Sequence, residues 1–383
     1  MKNKVLRFLS YIGVAALASV VTIWLMLYWF PESKLSDLEN LILTHFIGDA
    51  DQTAMEDAAA GAMIDSLNDQ WSYYIPAAEY ATFEEQMENS YVGIGITISQ
   101  LEDQSGLLVE SVVTGGPAEE AGVEPMDIIV SIDGHSTEGM TVDQARTLVR
   151  GEEGTSLTIT VLRKGEGMSL YLTRRHMEVA VASGKMLDHE IGLVTIYNFD
   201  SRCAKETIAA IEELISQGAT KLIFDVRNNP GGYATELVTI LDYLLPEGEL
   251  FRTVDYTGKE EVEMSDAGYL DLPMAVLINE ESYSAAEFFA AALSEYDAAI
   301  TVGWQTCGKG YFQQTYQFND GSAVGLSVGK YFTPKGVSLA GVGVTPDIPV
   351  YVDTDTAYQI YLELLSPEED PQIQAAVSAL LDD

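Results

Sequence analysis

The stretch that most constrains the fold runs from Met274 to Gln313. Met274-Ala-Val-Leu-Ile278 is an apolar run of strand length with no polar face, the pattern of a strand covered on both sides. A polar turn ending in Ser282-Tyr283-Ser284 follows, then Ala285-Ala-Glu-Phe-Phe-Ala-Ala-Ala-Leu293. That segment is apolar nearly all round, which predicts a helix buried inside the fold. Ala299 to Gly303 predicts a second strand, and the loop Gln305-Thr-Cys-Gly-Lys309-Gly310 comes next. Gln313 lies four residues past Lys309. A spacing of four returns to the same side on a helix and on a strand, so Lys309 and Gln313 are expected to face one site. From about residue 176 strands and helices alternate, with strands at Ile191–Ile196 and Lys221–Val226 and helices at 204–217 and 233–245. A strand and helix without polar faces, set in such an alternation, argue a layered α/β core.

Ser284 supports two readings. Ser284-Ala-Ala-Glu287 before an apolar run is a capping box, with the hydroxyl capping the helix and the glutamate reaching back. The same geometry suits a nucleophile, because the N–H groups of Ala285 and Ala286 and the positive end of the helix dipole lie beside it. A tetrahedral oxyanion needs such donors. The candidate base is Lys309, whose rival reading is a solvated residue in a glycine turn. A free lysine, with a pKa near ~10.4, is protonated at neutral pH and cannot take a proton from serine. Burial lowers that value. Reaching about 7 or 8 takes roughly 3 units, about 4 kcal/mol. Between the strand at Lys221 and the helix at Tyr233 sits Arg227-Asn-Asn-Pro-Gly231-Gly232. Two glycines at a helix start can present bare N–H groups to an anion, or can simply make a Pro-Gly turn.

Ser284-x-x-Glu287, Gly308-Lys309-Gly310 and Gln313 together resemble the carboxy-terminal processing serine peptidases, also called tail-specific proteases. The usual family stretches read Ser-Ala-Ser-Ala-Ser-Glu and Thr-Phe-Gly-Lys-Gly. This chain departs from them at Tyr283, Ala286 and Cys307, and none of these removes a catalytic group. The resemblance implies that Ser284 is the nucleophile, Lys309 its general base, and Gln313 a positioner of the lysine. It also implies an oxyanion hole from Gly231 and Gly232, completed by Ala285. The implied fold is α/β, a layered crotonase/Clp-protease-like peptidase core over residues 176–365, with a C-terminal helix within 366–383. Val342-Gly-Val-Thr-Pro346-Asp347-Ile348 matches a further family motif, and the likeness extends over roughly residues 35–383.

Residues 91–175 read as a small β-rich module. A glycine turn, Gly93-Ile94-Gly95-Ile96, enters a strand, and strands at 107–113, 127–132 and 156–162 follow. A short helix at 117–122 and an amphipathic helix at 141–150 complete the set. Order and motifs resemble a PDZ domain, with Met126 where glycine is usual. The resemblance implies that Gly93, Ile94, Gly95 and Ile96 hold a C-terminal carboxylate, and that the peptide adds as a strand in a groove against Ala145 and Leu148. The implied partners are protein or peptide substrates with free, apolar C-termini.

Residues 31–90 read as helices, with an apolar face of Met55, Ala58, Ala59, Met63 and Leu67 between Asp51 and Asn68. Before them, Lys2, Lys4 and Arg7 precede an uncharged run from Phe8 to Phe30. At ~1.5 Å per residue this run can cross a bilayer, and Trp24, Tyr28, Trp29 and Phe30 form an aromatic belt. A transmembrane anchor over residues 8–30 is expected, with residues 1–7 cytoplasmic and the catalytic domain on the extracytoplasmic side of the cell membrane. A cleaved signal peptide is the rival.

The formal net charge of −39, from 59 acidic and 20 basic residues, argues against binding a nucleic-acid backbone. Four histidines without a metal-ligand pair and no phosphate loop give no reason to expect a metal or cofactor. Two cysteines make no disulfide framework. The sequence leaves open a homo-oligomer, as it does two other functions: an inert membrane-tethered PDZ scaffold, and acyl transfer to a non-peptide substrate.

Overall fold

The computed structural model describes residues 17–22, 33–101 and 103–382. The expected anchor over residues 8–30 lies outside them apart from 17–22, which are helical. No helix among the described residues is long and apolar enough to cross a membrane.

The chain divides into two compact units, Met1–Tyr74 and Ile75–Asp383. The first has helices Lys34–His45 and Gln52–Asp65, capped by Ser33 and Asp51 side chains that accept from the N–H groups of Ser36 and Ala54. Neither helix contains a fully buried residue. The apolar face expected there is not covered, with Met63 and Leu67 more than half exposed. Two short helices lack the partner surface that burial requires.

In the second unit, six antiparallel strands form the β-rich module, in the order Ile96–Gln100, Leu107–Val112, Ile128–Ile132, Ser156–Arg163 and Glu166–Thr173, with the short strand His135–Ser136 paired to Ile128–Ile132. Strand Glu166–Thr173 was not expected. It closes a hairpin through Lys164 and Gly165, both at positive φ, as a tight two-residue turn requires. Strand Ile96–Gln100 has one neighbour in the sheet, so it is an edge open to strand addition. Its carboxylate-loop candidate is pinned from behind: the carbonyls of Ile94 and Gly95 accept from Ala118 and Val113 at 2.9 Å each. Met126 adopts φ 73, so the turn keeps the left-handed backbone that glycine would supply, and its side chain stays exposed. The chain enters and leaves the module through one antiparallel pair, Ser90–Gly93 with Arg175–Glu178.

The elements that position the site are β1 (Ala182–Met186), β2 (Ile191–Ile196), α1 (Cys203–Ser216), β3 (Lys221–Asp225), α2 (Ala234–Leu244), β4 (Gly248–Asp255), β5 (Glu260–Ser265), β6 (Met274–Ile278), α3 (Ala285–Glu295), β7 (Ala299–Gly303), β8 (Tyr311–Gln317), β9 (Ala323–Phe332), β10 (Ile348–Pro349) and α4 (Pro371–Asp382). One sheet runs β1-β2-β3-β6-β7-β10, antiparallel at β1 and parallel thereafter. The parallel strands are added in one direction only. Right-handed crossovers therefore place α1, α2 and α3 on the same face, where they share one apolar core with the sheet. Helix α4 covers the opposite face through Ile373, Ala376 and Leu380. Every residue of β6 is buried, and so is every residue of α3 from Ala285 to Leu293, as their composition requires. A second sheet contains the antiparallel run β5-β4-β9-β8.

Candidate active site

Turns leaving the C-terminal ends of β3 and β6 build the site. These strands are hydrogen-bonded parallel neighbours, with Asp225 opposite Leu277, so their turns emerge side by side. Adjacency within the sheet brings them together, rather than a reversal of strand order at a sheet edge. They are then stapled. Tyr283 N–H donates to the Asn229 carbonyl at 2.9 Å, and Ser282 Oγ to the Val226 carbonyl at 2.7 Å. The Asn228 N–H donates to Asn279 Oδ1 at 2.9 Å, and Asn279 Nδ2 returns a bond to Asn228 Oδ1 at 3.0 Å.

Ser284 is half-buried and has φ 52 and ψ −116, unlike the extended backbone of an ordinary helix cap. A non-glycine residue held there carries strain that the surrounding structure must impose. Gly231 shows how tight the constraint is: a methyl group added to it would lie 2.8 Å from Ser284 Cβ and 3.0 Å from the Ala285 nitrogen. The Gly231 backbone thus lies against the serine. Its N–H, however, donates to Asn229 Oδ1 at 2.8 Å, and its carbonyl accepts from Phe199 at 2.7 Å. Gly232 pairs with Phe199 in a bridge that leaves no space for a side chain. Ala285 N–H, in the first turn of α3, has no acceptor within its own helix.

Glu287 joins the serine turn to the lysine loop. Its carboxylate is fully buried and accepts four bonds. One oxygen takes Ser284 N–H at 2.9 Å and Lys309 N–H at 2.8 Å; the other takes Thr306 Oγ1 at 2.5 Å and Gly308 N–H at 2.6 Å. The capping motif foretold the first of these bonds and none of the other three. The Glu287 N–H itself donates to the Ser284 carbonyl at 2.9 Å. Lys309 is half-buried in the loop before β8, and Gly310 beyond it accepts from Tyr331 N–H at 3.0 Å. Gln313 lies on β8 and donates to Ser327 Oγ at 3.1 Å and to the Tyr311 carbonyl at 3.3 Å. Lys309 precedes the strand, and a register shift falls between Phe312 and Gln313. Because Lys309 lies in the loop and not in β8, the strand rule that a spacing of four keeps one face does not by itself place it beside Gln313.

Beside Ser284 a small pocket is walled by Leu237, Phe251, Phe288 and Tyr331 and rimmed by Gly232. The rings pack closely, with Phe288 and Tyr331 centroids 5.2 Å apart. Burial pushes the Tyr331 hydroxyl pKa up to about 12. Below the oxyanion-loop candidate, Arg227 is bonded to Asp225, to Asp370 at 2.9 Å and to Gln372 at 2.8 Å. Burial opposes its charge, but the two carboxylates outweigh that and hold its pKa above the usual value. Helix α4 is thereby tied to the base of the loop. Cys203 and Cys307 are free thiols; burial raises both pKa values, that of Cys203 to about 12.

Residues 190–350 match the model of peptidase family S41, and residues 108–163 match that of the PDZ domain. The carboxy-terminal processing protease CtpA of Bacillus subtilis (strain 168) is 33% identical over 339 residues, covering 85% of this chain and 72% of its own length. The chain belongs to peptidase family S41. A Staphylococcus aureus (strain N315) protein named as a CtpA-like serine protease is 30% identical over 364 residues, 90% of this chain and 72% of its own. A solved Bacteroides fragilis structure assigned to the S41 proteases has the same fold, with a TM-score of 0.56 at 15% identity over 92% of this chain and 98% of that one. This S41 chain is therefore a serine peptidase with a mixed α/β peptidase fold and a PDZ domain.

Proposed function

We propose that this S41 peptidase cuts proteins near their C-termini with a Ser284/Lys309 dyad. The observation that carries the reading is the buried Glu287 carboxylate, which holds the backbones of Ser284 and Lys309 on one oxygen atom. In this reading Lys309 removes the Ser284 proton as Oγ attacks the scissile carbonyl, and then delivers it to the leaving amine. Gly232 and Ala285 supply the N–H donors for the oxyanion. Gly231, whose N–H is already engaged by Asn229, sets the approach of the loop to the serine. The aromatic pocket beside Ser284 receives a small apolar side chain on the acyl side of the bond. Gln313 holds the lysine from β8.

The PDZ domain captures the free tail in the same proposal. The edge strand Ile96–Gln100 accepts it as an added strand, and the turn Gly93–Ile96 holds its carboxylate. Ala145 is fully buried in the domain core, so it forms the floor of the groove, while Leu148 is part-exposed and contacts the last apolar side chain. The enzyme is anchored through residues 8–30, with its catalytic unit outside the cytoplasm.

The deciding experiment compares Ser284→Ala, Lys309→Ala and Lys309→Arg on a peptide with a free apolar C-terminus and on its amidated copy. All three variants should be inactive, because a guanidinium does not deprotonate. The amidated peptide should be cut more slowly by the native enzyme. Full activity in Lys309→Arg overturns the dyad, and equal rates for the two peptides overturn the PDZ role. A cytoplasm-only reporter active at the C-terminus would overturn the topology.

A further inference from the structure

Segment Asn198–Arg202 has two unrelated sets of partners. On one side it meets the oxyanion-loop candidate: Phe199 N–H donates to the Gly231 carbonyl at 2.7 Å, and Tyr233 N–H returns to the Phe199 carbonyl at 2.8 Å. On the other side it meets both segments that flank the PDZ domain. The incoming connection is Met87–Asn89 and the outgoing one is Val179. Arg202 grips both, with Nη1 donating to the Glu88 carbonyl at 2.8 Å and Nη2 to the carbonyls of Asn89 at 3.4 Å and Val179 at 2.6 Å. Glu206 accepts from Arg202 Nε at 2.9 Å and also from Val181 N–H at 2.8 Å, so one carboxylate fixes the guanidinium and the outgoing chain. Around this grip, Asn89 and Asn198 exchange amide bonds at 2.6 and 3.1 Å. Ser201 Oγ reaches the Glu88 carbonyl at 3.2 Å.

Arg202 also stands at φ 75, a left-handed backbone that costs an arginine free energy and that glycine would adopt without strain. The planar fork explains why an arginine stands there. Its donors are fixed in one plane and can bridge acceptors on two chains at once, which a lysine ammonium on a flexible stem does less well. The carbonyls it binds belong to the linkers, while its own backbone continues from the strand that braces Gly231 and Gly232.

We infer that Arg202 is a positioning residue that ties the placement of the PDZ linkers to the geometry of the oxyanion loop. The assignment of Gly232 to the oxyanion hole rests on the proposed function; the tie between linkers and loop does not. When Arg202 holds both linkers, segment 198–202 is fixed, and Gly231–Tyr233 is fixed against it. When the grip is lost, the loop keeps its sequence and its glycines but loses the brace behind them. The consequence falls on turnover, since a displaced donor fails the transition state more than it fails substrate capture.

The test uses the full chain with Arg202→Gln and Arg202→Lys. Steady-state kinetics on a free-tailed peptide separate kcat from KM. Amide hydrogen exchange at Phe199 and Tyr233 is measured in a Ser284→Ala background, where no catalysis is needed. Arg202→Gln should lower kcat about 10-fold to 100-fold with KM nearly unchanged, the scale of a misplaced catalytic group. It should also speed exchange at both amides, and Arg202→Lys should recover part of each effect. Unchanged exchange in Arg202→Gln overturns the inference, whether or not Ser284 proves to be the nucleophile. A rise in KM with native kcat overturns it too, since Arg202 would then serve tail capture alone. If Arg202→Gln does not fold, Glu206→Gln, which weakens the same grip, must accelerate exchange at Tyr233 for the inference to stand.

Discussion

Replacing Glu287 by glutamine tests the physical core of the site. The carboxylate is fully buried and accepts four bonds, two on each oxygen. An amide keeps one acceptor and turns the other position into a donor. If the amide nitrogen faces Ser284 and Lys309, two N–H groups confront it; if it flips, Gly308 N–H does so, while the Thr306 hydroxyl can turn to accept from it. Two such bonds are lost in the first orientation and one in the second, at about 1.5–3 kcal/mol each, for roughly 1.5–6 kcal/mol in total. Domains of this kind are stable by only about 5–15 kcal/mol, so the loss is large but the variant can remain folded. Activity is more sensitive, because a shift of about 1 Å in either turn costs on the order of 100-fold in rate. Urea unfolding reads the first effect as a lowered midpoint at an unchanged slope. Turnover of a free-tailed peptide below the midpoint reads the second. Thr306→Val and Thr306→Ser grade the same hub. Valine removes a donor to Glu287 and an acceptor of Val344 N–H, for about 2–3 kcal/mol, while serine should keep both bonds. A Glu287→Gln enzyme with native midpoint and native turnover would refute the assignment of Glu287 as the joint between the two loops.

Gly231→Ala should reduce turnover by 100-fold or more at φ 91, because the new methyl meets Ser284 Cβ at 2.8 Å; overlap and left-handed strain together cost about 2–5 kcal/mol, read as a lowered unfolding midpoint. Asp200 has its pKa raised to about 7, chiefly by burial and against an Asn89 hydrogen bond that lowers it. An acid with a raised folded pKa binds more protons folded than unfolded between about pH 4 and 7, so its burden grows as pH rises through that window and is full above it. Asp200→Asn should therefore raise the melting temperature at pH 8 and change it little at pH 4, by an amount below the roughly 4 kcal/mol that three pKa units set as a ceiling. An increase confined to low pH would contradict that sign. Met126→Gly should stabilise the PDZ domain by up to about 1 kcal/mol by relieving φ 73, measured by denaturant unfolding, and a loss of stability would show that the turn gains more from the methionine than its exposure suggests.

Local pattern determined much of this protein. The apolar run of β6 and the all-round apolar α3 had no alternative to burial in an α/β layer, because neither offers a face to water. The helix start at Ser284, the glycine turn at Gly231 and the glycine turn that enters the PDZ domain at Gly93–Gly95 were legible for the same reason: each is set by residues within four positions of one another. The second antiparallel sheet was not legible. Strands β5 and β8 are largely exposed, and each pairs with its neighbour in sequence through an irregular register. Gln313 shows the limit, since its bond to Ser327 depends on a strand pairing that spacing alone does not give. Glu287 announced itself as half of a capping box, but its three further donors come from residues 306–309, reached only after the chain has crossed α3 and β7. Phe199 and Arg202 gave no signal at all, because a backbone bridge and bonds to carbonyls carry no side-chain pattern. Sequence determined which residues could do the chemistry; the parallel register of β3 against β6 decided that Gly231 would lie against Ser284. That register depends on side chains from three helices packed over one sheet, a property of the assembled core rather than of any segment in it.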